Sequence, residues 1–366
     1  MIKVLHILGK ESAGGAEIMA LNFQKGFSKN IHAEYLVFCP KTNTLVNKHA
    51  MHDNIKLHLF PDFKILNYIQ IYIKLKELFR NVNYDIIHLH SPVLGFMCLK
   101  AAKKTGVRAR ILHYHSSAKS EHASKLLRNT ILYHAGASYA THFIACSKKA
   151  SIAAPRNANI KIIYNGIDCE KYKYNHTSRI VIRKKLGYEN KIIIGHVGRL
   201  SFPKNQTFLL DIFEEIYHIQ NNCILFIIGD GPLQKHLKTY IKGKAYEKNV
   251  IFWGNSNHIP ELLSIMDVFV MTSFYEGLPL SVLEAQSSGL PCILSSHITK
   301  EVSVLNTNCF ISLKKETAIW ANVILKKVVM NEINRNHSYL DMIEKGFDIT
   351  HSSRTLEEYY QEIIGG

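Results

Sequence analysis

Short runs of aliphatic and β-branched residues alternate, along the first half of the chain, with longer stretches whose apolar positions recur every three or four residues. The runs at 3–8, 34–38, 85–90, 109–114, 142–146 and 161–164 are predicted strands, and 16–27, 66–80, 93–105 and 123–137 are predicted helices. Strands that are apolar nearly throughout have both faces covered. Helices between them supply that cover, which implies a parallel sheet. A polar segment at 166–177, rich in Tyr, Lys and Asn, reads as a connection between domains. The alternation then restarts. Strands are predicted at 191–197, 223–228, 249–253, 268–272, 291–294 and 309–312, helices at 205–220, 233–241 and 281–288, and further helix beyond. Two doubly wound α/β units of similar size result, with no exact repeat between them. Ligands of such sheets bind at the carboxyl ends of strands, so two units side by side would form a cleft from both sets of loops.

Composition narrows this picture. A chain of 366 residues exceeds what one hydrophobic core usually organises, and 47% apolar residues exclude disorder. No apolar stretch approaches the roughly 18–20 residues a bilayer helix needs, and the opening MIKVLHILGK is too short an apolar run for a signal peptide. Seven scattered cysteines without a CxxC pair (Cys39, Cys98, Cys146, Cys169, Cys223, Cys292 and Cys309) suggest reduced thiols and a cytoplasmic setting. The formal net charge of +16 is one-sided. Residues 1–175 hold 25 basic and 10 acidic side chains, a net of +15, while 176–366 hold 20 and 19, a net of +1. A charge so placed speaks of partners rather than of fold.

Four loops that follow strands hold candidate chemistry. In GKESAGGAE, Gly14 and Gly15 at the mouth of a helix would let backbone N–H groups approach an anion, although neither a Walker nor a GxGxxG spacing is present. Taken alone, the segment reads more readily as a plain strand–helix turn. In LHYHSS, His113 and His115 end a strand, where a histidine can hydrogen-bond a sugar or act as a base. His88 and His90 also end a strand, but a metal pair there would need carboxylate or thiol partners that the pattern does not place. In GHVGRLSFPKN, Arg199 and Lys204 set two cations beside a strand terminus, suited to a diphosphate. In MTSFYEGLPLSVLEAQSSGLP, seven residues separate Glu276 from Glu284, one in a loop and the other a turn into the next helix. Two carboxylates can thus face one ligand. The N–H groups of Gly277, Leu278 and Leu280 open the helix for phosphate, whereas Pro279 has none.

YEGLPLSVLEAQSSGLP, with its E-x7-E spacing at Glu276 and Glu284, resembles the family 4 retaining glycosyltransferases of the GT-B fold. The resemblance extends over nearly the whole chain, since GGAE, HLHSP, ILHYHSS, FIACS, YNGID, GHVGRLSFPKNQ and IGDGPL occur in that family's order. The wording is most similar to bacterial enzymes of capsule and other surface-polysaccharide clusters. It implies two Rossmann-like domains facing across a cleft: an acceptor-binding domain over 1–170, a nucleotide-sugar domain over 171–345, and a closing helix within 346–366 that crosses back. It also implies roles. Arg199 and Lys204 would hold the donor diphosphate, Glu284 the ribose and Glu276 the transferred sugar. Gly277, Leu278 and Leu280 would meet sugar or phosphate, Gly14 and Gly15 would approach the diphosphate, and His115 would lie beside the anomeric centre. Ser116 follows His115 where several members carry Asp or Asn, which separates this chain from them. No essential metal or cofactor is implied, and the nine Asp residues never occur as D-x-D.

The expected activity is transfer of a hexose or N-acetylhexosamine from a nucleotide sugar, UDP-linked, to a saccharide or polyprenyl-pyrophosphate-linked acceptor. Alternatives are a GT-B sugar-nucleotide epimerase or phosphorylase and, in another class, a non-catalytic basic membrane-docking module. Nucleic acid is disfavoured, because no RNP-like, helix-turn-helix or zinc signature accompanies the charge. KILNYIQIYIKLKELFR at 64–80, with Lys125 and Arg128 beyond it, suits an anionic interface as well as ordinary packing on a sheet. The expected location is cytoplasmic and peripheral at the inner face of the cell membrane.

Overall fold

A computed structural model describes residues 1–10, 15–38, 55–116, 123–329 and 335–365. The chain divides into two compact units, Met1–Gly166 with Ile349–Gly366, and Ile167–Asp348. The sequence put the boundaries at 170 and 345; in the structure they lie at 166 and 348, and the last helix, Ile349–Gly365, belongs to the first unit.

The first unit is built on β1 (Ile2–Lys10), β2 (Ile31–Phe38), β3 (Leu57–Phe60), β4 (Ile86–Leu89), β5 (Ala109–Tyr114), β6 (His142–Ala145) and β7 (Ile160–Ile162). They form one parallel sheet in the order β3-β2-β1-β4-β5-β6-β7. Val4, Leu5, Ile7 and Leu8 are buried on both faces of β1, as a central parallel strand requires. The register sets His6 opposite His88. Because side chains alternate along a strand, His88 and His90 share a face, as do His113 and His115. The helix Ile349–Gly365 is fixed by Glu357, whose buried carboxylate accepts from the Ser28 N–H at 2.8 Å and from the Ser28 hydroxyl.

The second unit repeats the plan with β8 (Ile192–Val197), β9 (Cys223–Ile228), β10 (Val250–Gly254), β11 (Val268–Met271), β12 (Cys292–Ser295) and β13 (Cys309–Ile311). Their order is β10-β9-β8-β11-β12-β13, all parallel. Leu209, Phe213 and Ile216 of helix Gln206–Ile219 pack with Leu225, Ile227 and Trp320 in its core.

Among the elements of the described residues that escaped the sequence pattern, three bear on packing. Edge strand β3 is short and only half-buried. Helix Ile259–Ile265 is a brief segment between strands. Helix His176–Leu186 has no apolar stripe: its inward residue is Arg183, which donates to Ile265 O at 2.9 Å and pairs with Asp267 at 2.6 Å. The same Asp267 oxygen accepts from Ile193 N–H at 2.7 Å. The apolar-period test cannot see a helix anchored by guanidinium. The expected connection at 166–177 accordingly ends where this helix begins.

Candidate functional site

In the second unit the site starts from β8. His196, fully buried near its end, has Nδ1 3.0 Å from Val270 O, so Nδ1 carries the proton and Nε2 is an acceptor. The Gln206 amide donates to that Nε2 at 3.3 Å and to Arg199 O at 2.9 Å. Burial pushes His196 down to about 4, so it remains neutral in this role. Between strand and helix the chain makes a tight turn, Phe202–Lys204, then Asn205 in the left-handed region at φ 52°. Thr272, just past β11, donates to Asn205 O at 3.0 Å, and Phe274 N–H donates to Pro203 O at 2.8 Å. The loops after β8 and β11 are thereby knitted together.

The loop after β9 closes the other side. Leu200 N–H donates to Asp230 O at 2.9 Å, and Leu233 N–H donates to Leu200 O at 3.1 Å. A Cβ at Gly229 would lie 2.2 Å from Gly198 O, and one at Gly231 2.3 Å from Leu200 O. GDGP therefore requires its glycines for backbone-to-backbone approach to the loop bearing Arg199.

On this frame Lys204 Nζ meets Glu276 Oε1 at 2.6 Å, and the Ser273 hydroxyl donates to the same oxygen at 2.7 Å. Both side chains are largely withdrawn from water, 19% and 14% exposed. Arg199 is exposed, and its guanidinium makes no ion pair among the described residues. Gly277 and Leu278 are buried, and helix Leu280–Ser287 starts after Pro279, whose side chain offers no cap. The first N–H groups of such a helix have no intrahelical acceptor. Glu284 projects from its second turn. Burial raises its carboxyl to about 7, and the Tyr172 hydroxyl hydrogen-bonded to it acts in the opposite direction. Hydroxyl donors from a ligand would favour its charged form.

In the first unit, Gly15 is exposed at the start of helix Gly15–Asn22, while Gly14 lies outside the described residues. His113, one residue before the end of β5, is fully buried, and His115 just past the strand hydrogen-bonds His90 at 2.9 Å. The partners that His88 and His90 lacked in the sequence turn out to be further histidines rather than carboxylates or thiols.

The structure thus brings Lys204 and Glu276 together, sets Arg199 in the loop that leads to Lys204, and places Glu284 on the helix that follows Glu276. It also brings in four residues missed in the sequence: His196, Gln206, Ser273 and Tyr172. His196 and Gln206 lie inside the GHVGRLSFPKNQ segment and could have been flagged there. Tyr172 sat in a stretch read as connection, and nothing local distinguishes it.

Residues 13–171 match the family model described as Glycosyltransferase Family 4, and residues 178–312 match the one described as Glycosyl transferases group 1. Among curated proteins the chain is 28% identical to the putative glycosyltransferase EpsF of Bacillus subtilis (strain 168), over 98% of this chain and 96% of that one. It is 26% identical to the UDP-Gal:alpha-D-GlcNAc-diphosphoundecaprenol alpha-1,3-galactosyltransferase of Escherichia coli, over 99% and 97%. Among solved structures, Anabaena Alr3699/HepE in complex with UDP-glucose superposes with a TM-score of 0.85 at 20% identity, covering 99% of this chain and 100% of that one. At that identity the likeness concerns the fold.

Proposed function

The chain belongs to the glycosyltransferases, its two halves matching the family 4 and group 1 models, and from that membership we propose that it transfers a hexose or N-acetylhexosamine from a UDP-sugar to a lipid-linked saccharide in bacterial surface-polysaccharide synthesis. The observation that carries the reading is the pairing of Lys204 with Glu276 at the carboxyl ends of β8 and β11, with Arg199 in the loop that leads to Lys204. Relatives support the substrates: one is named for a UDP-galactose donor and a diphosphoundecaprenol acceptor, and a structural neighbour was solved with UDP-glucose.

When a donor enters, its diphosphate competes with Glu276 for the Lys204 ammonium. Lys204 and Arg199 then stabilise the charge that grows on the departing diphosphate, the task a metal performs elsewhere. Glu276, steadied by Ser273, turns its oxygens to sugar hydroxyls, and Glu284 accepts from the ribose. Backbone groups at Gly277, Leu278 and Leu280 complete the second unit's part of the cradle. The reaction retains anomeric configuration through front-face displacement: the acceptor oxygen bonds to the anomeric carbon as the bond to the β-phosphate oxygen breaks. The departing phosphate takes the hydroxyl proton. No essential metal is required.

A donor panel of UDP-glucose, UDP-galactose, their N-acetyl forms and GDP-mannose, read by nucleotide release with a lipid-pyrophosphate sugar, tests this. UDP release, retained anomeric configuration and indifference to EDTA are expected. An inverted product, or Glu276→Ala with near-wild-type turnover, would sink the mechanism.

Membrane docking accompanies the enzyme reading rather than opposing it. No helix among the described residues is long and apolar enough to cross a membrane. Helix Tyr68–Val82 buries Ile71, Leu75 and Phe79, yet Leu66, Ile69 and Ile73 are exposed at 97%, 71% and 49% amid Lys64, Lys74 and Lys76. Leu127 and Ile131 are exposed on helix Ala123–Ala137, and both helices pack against Gly95–Lys104. Apolar residues set among lysines fit an anionic bilayer surface. Co-sedimentation with phosphatidylglycerol vesicles that high salt releases is expected; salt-insensitive failure to sediment would refute it.

A further inference from the structure

Five histidines and one tyrosine stand in a single hydrogen-bonded file across β1, β4, β5 and the last helix. Tyr360 Oη lies 2.5 Å from His88 Nδ1, and His88 Nε2 lies 3.1 Å from His113 Nδ1. In the other direction Tyr360 Oη is 3.4 Å from His6 Nε2, His6 Nδ1 is 2.9 Å from His90 Nε2, and His90 Nδ1 is 2.9 Å from His115 Nε2. The file ends at His113 Nε2 and His115 Nδ1, both buried and without a partner among the described residues. Tyr35 stacks on His6 at 4.9 Å and Phe27 lies beside it. Burial holds His6 at about 3 and His115 at about 4, and pushes His88, His90 and His113 well down, so the rings are neutral.

Neutrality makes the protons countable. Each neutral imidazole has one N–H and the phenol one O–H. The six groups therefore hold six protons for five links, and each link takes one. With the phenol donating into the file, the sixth appears at one end and leaves a bare lone pair at the other. Tyr360 decides which. O–H donors make shorter hydrogen bonds than N–H donors. The 2.5 Å contact is therefore the phenol donating to His88, and the 3.4 Å contact is His6 donating to the phenol. Followed outward, this places the proton on Nε2 of all five rings, the tautomer that a free neutral histidine already favours. The reverse direction would force all five to the less stable Nδ1–H form.

We propose that Tyr360 is a positioning residue: it sets the direction of this file, so that His115 presents an unprotonated Nδ1 and accepts a hydrogen bond from a substrate hydroxyl instead of donating a proton. The assignment of that hydroxyl to a sugar rests on the proposed glycosyl transfer; the tautomer pattern does not. A divalent cation on His90, His113 and His115, each with one nitrogen within 4.8 Å of the others, would have to take a His90 nitrogen from its bond to His115 or to His6.

Long-range 1H–15N spectra of the full chain labelled at histidine decide the matter. Five buried rings in the Nε2–H form between pH 6 and 8 are expected, unchanged by stoichiometric Zn2+. Tyr360→Phe cuts the file into two pieces free to reverse, so Nδ1–H signals should appear. Its kcat should fall about tenfold with KM for the donor little changed. Tyr35→Phe, which removes a buried hydroxyl bonded to Ala20 O outside the file, should leave the tautomers alone. Any of the five rings as Nδ1–H in the wild type, loss of the Nε2–H signals to Zn2+, or unaltered tautomers in Tyr360→Phe overturns the proposal. Should Tyr360→Phe fail to fold, the wild-type spectrum still decides. A chain inactive on every donor yet with the expected spectrum would sink the transfer reading and leave the file standing.

Discussion

Glu284→Gln removes one charge and nearly nothing else, and the structure sets the size of its effect. The Glu284 carboxyl is raised from 4.5 to about 7, chiefly by burial. That difference corresponds to about 3 kcal/mol between the ionised and protonated forms. The sign follows from proton counting: between pH 4.5 and 7 the folded protein binds more protons here than the unfolded chain, so stability present at low pH is lost as pH rises. Glutamine never ionises and keeps an oxygen for the Tyr172 hydroxyl. The variant should match the wild type near pH 4.5 and exceed it at pH 8 by up to about 3 kcal/mol, roughly 6–12 °C in Tm for a unit of this size. Thermal melts at the two pH values measure this. Repeating them with UDP at about a hundredfold its Kd should add about 2.7 kcal/mol to the wild type and far less to the variant, which lacks a charged acceptor for ribose hydroxyls. Identical melts at both pH values would show that Glu284 ionises normally. Equal UDP shifts would remove it from the nucleotide site.

Lys204→Ala should lower the rate of UDP release by about 10²–10³-fold. It should also cost about 3 kcal/mol of stability, since the pair is largely withdrawn from water and its loss leaves the Glu276 carboxylate without its cation; a change in kcat confined to a few-fold would reduce Lys204 to a loop tie. Asn205→Val forces a β-branched residue into the left-handed turn and should cost about 1–2 kcal/mol in urea unfolding, whereas Asn205→Gly should be close to neutral. Arg335 is buried, donates to Ser288 O, Met266 O and Leu263 O, and lies 4.1 Å from the Tyr174 ring centroid. Arg335→Leu takes the guanidinium from Ser288 O and leaves Met266 O and Leu263 O only their bonds from Arg179 and the Met266 N–H, and should destabilise by about 3 kcal/mol, read as a lowered denaturant midpoint.

The sheets were legible because strands such as β9, buried at every position from Cys223 to Ile228, leave an uninterrupted apolar run. Helix His176–Leu186 was not, because an arginine holding carbonyls does the work that leucines usually do. At the site, the residues between Glu276 and Glu284 could be read because the turn and the helix it opens are local. Their electrostatic surroundings could not. Nothing in SFPKN or SFYEG states that Lys204 and Glu276 touch, or that Tyr172 lies against Glu284. The histidine file is a sharper case: alternation put its members at strand ends, but the residue that orders them stands 272 positions from His88.

The last helix has a consequence for how the molecule is made. Ile349–Gly365 belongs to the first unit, yet the ribosome releases it only after every residue of the second. At about 5–20 residues per second, the first sheet waits on the order of ten to forty seconds for its final element. During that interval Ser28 has no Glu357 and His88 no Tyr360, so the imidazoles at the strand ends have no fixed direction. A nascent chain stalled anywhere in the second unit therefore stops short of a finished first unit as well. The second unit, by contrast, has all its residues once Asp348 is made, so the two units reach their full complement at different times.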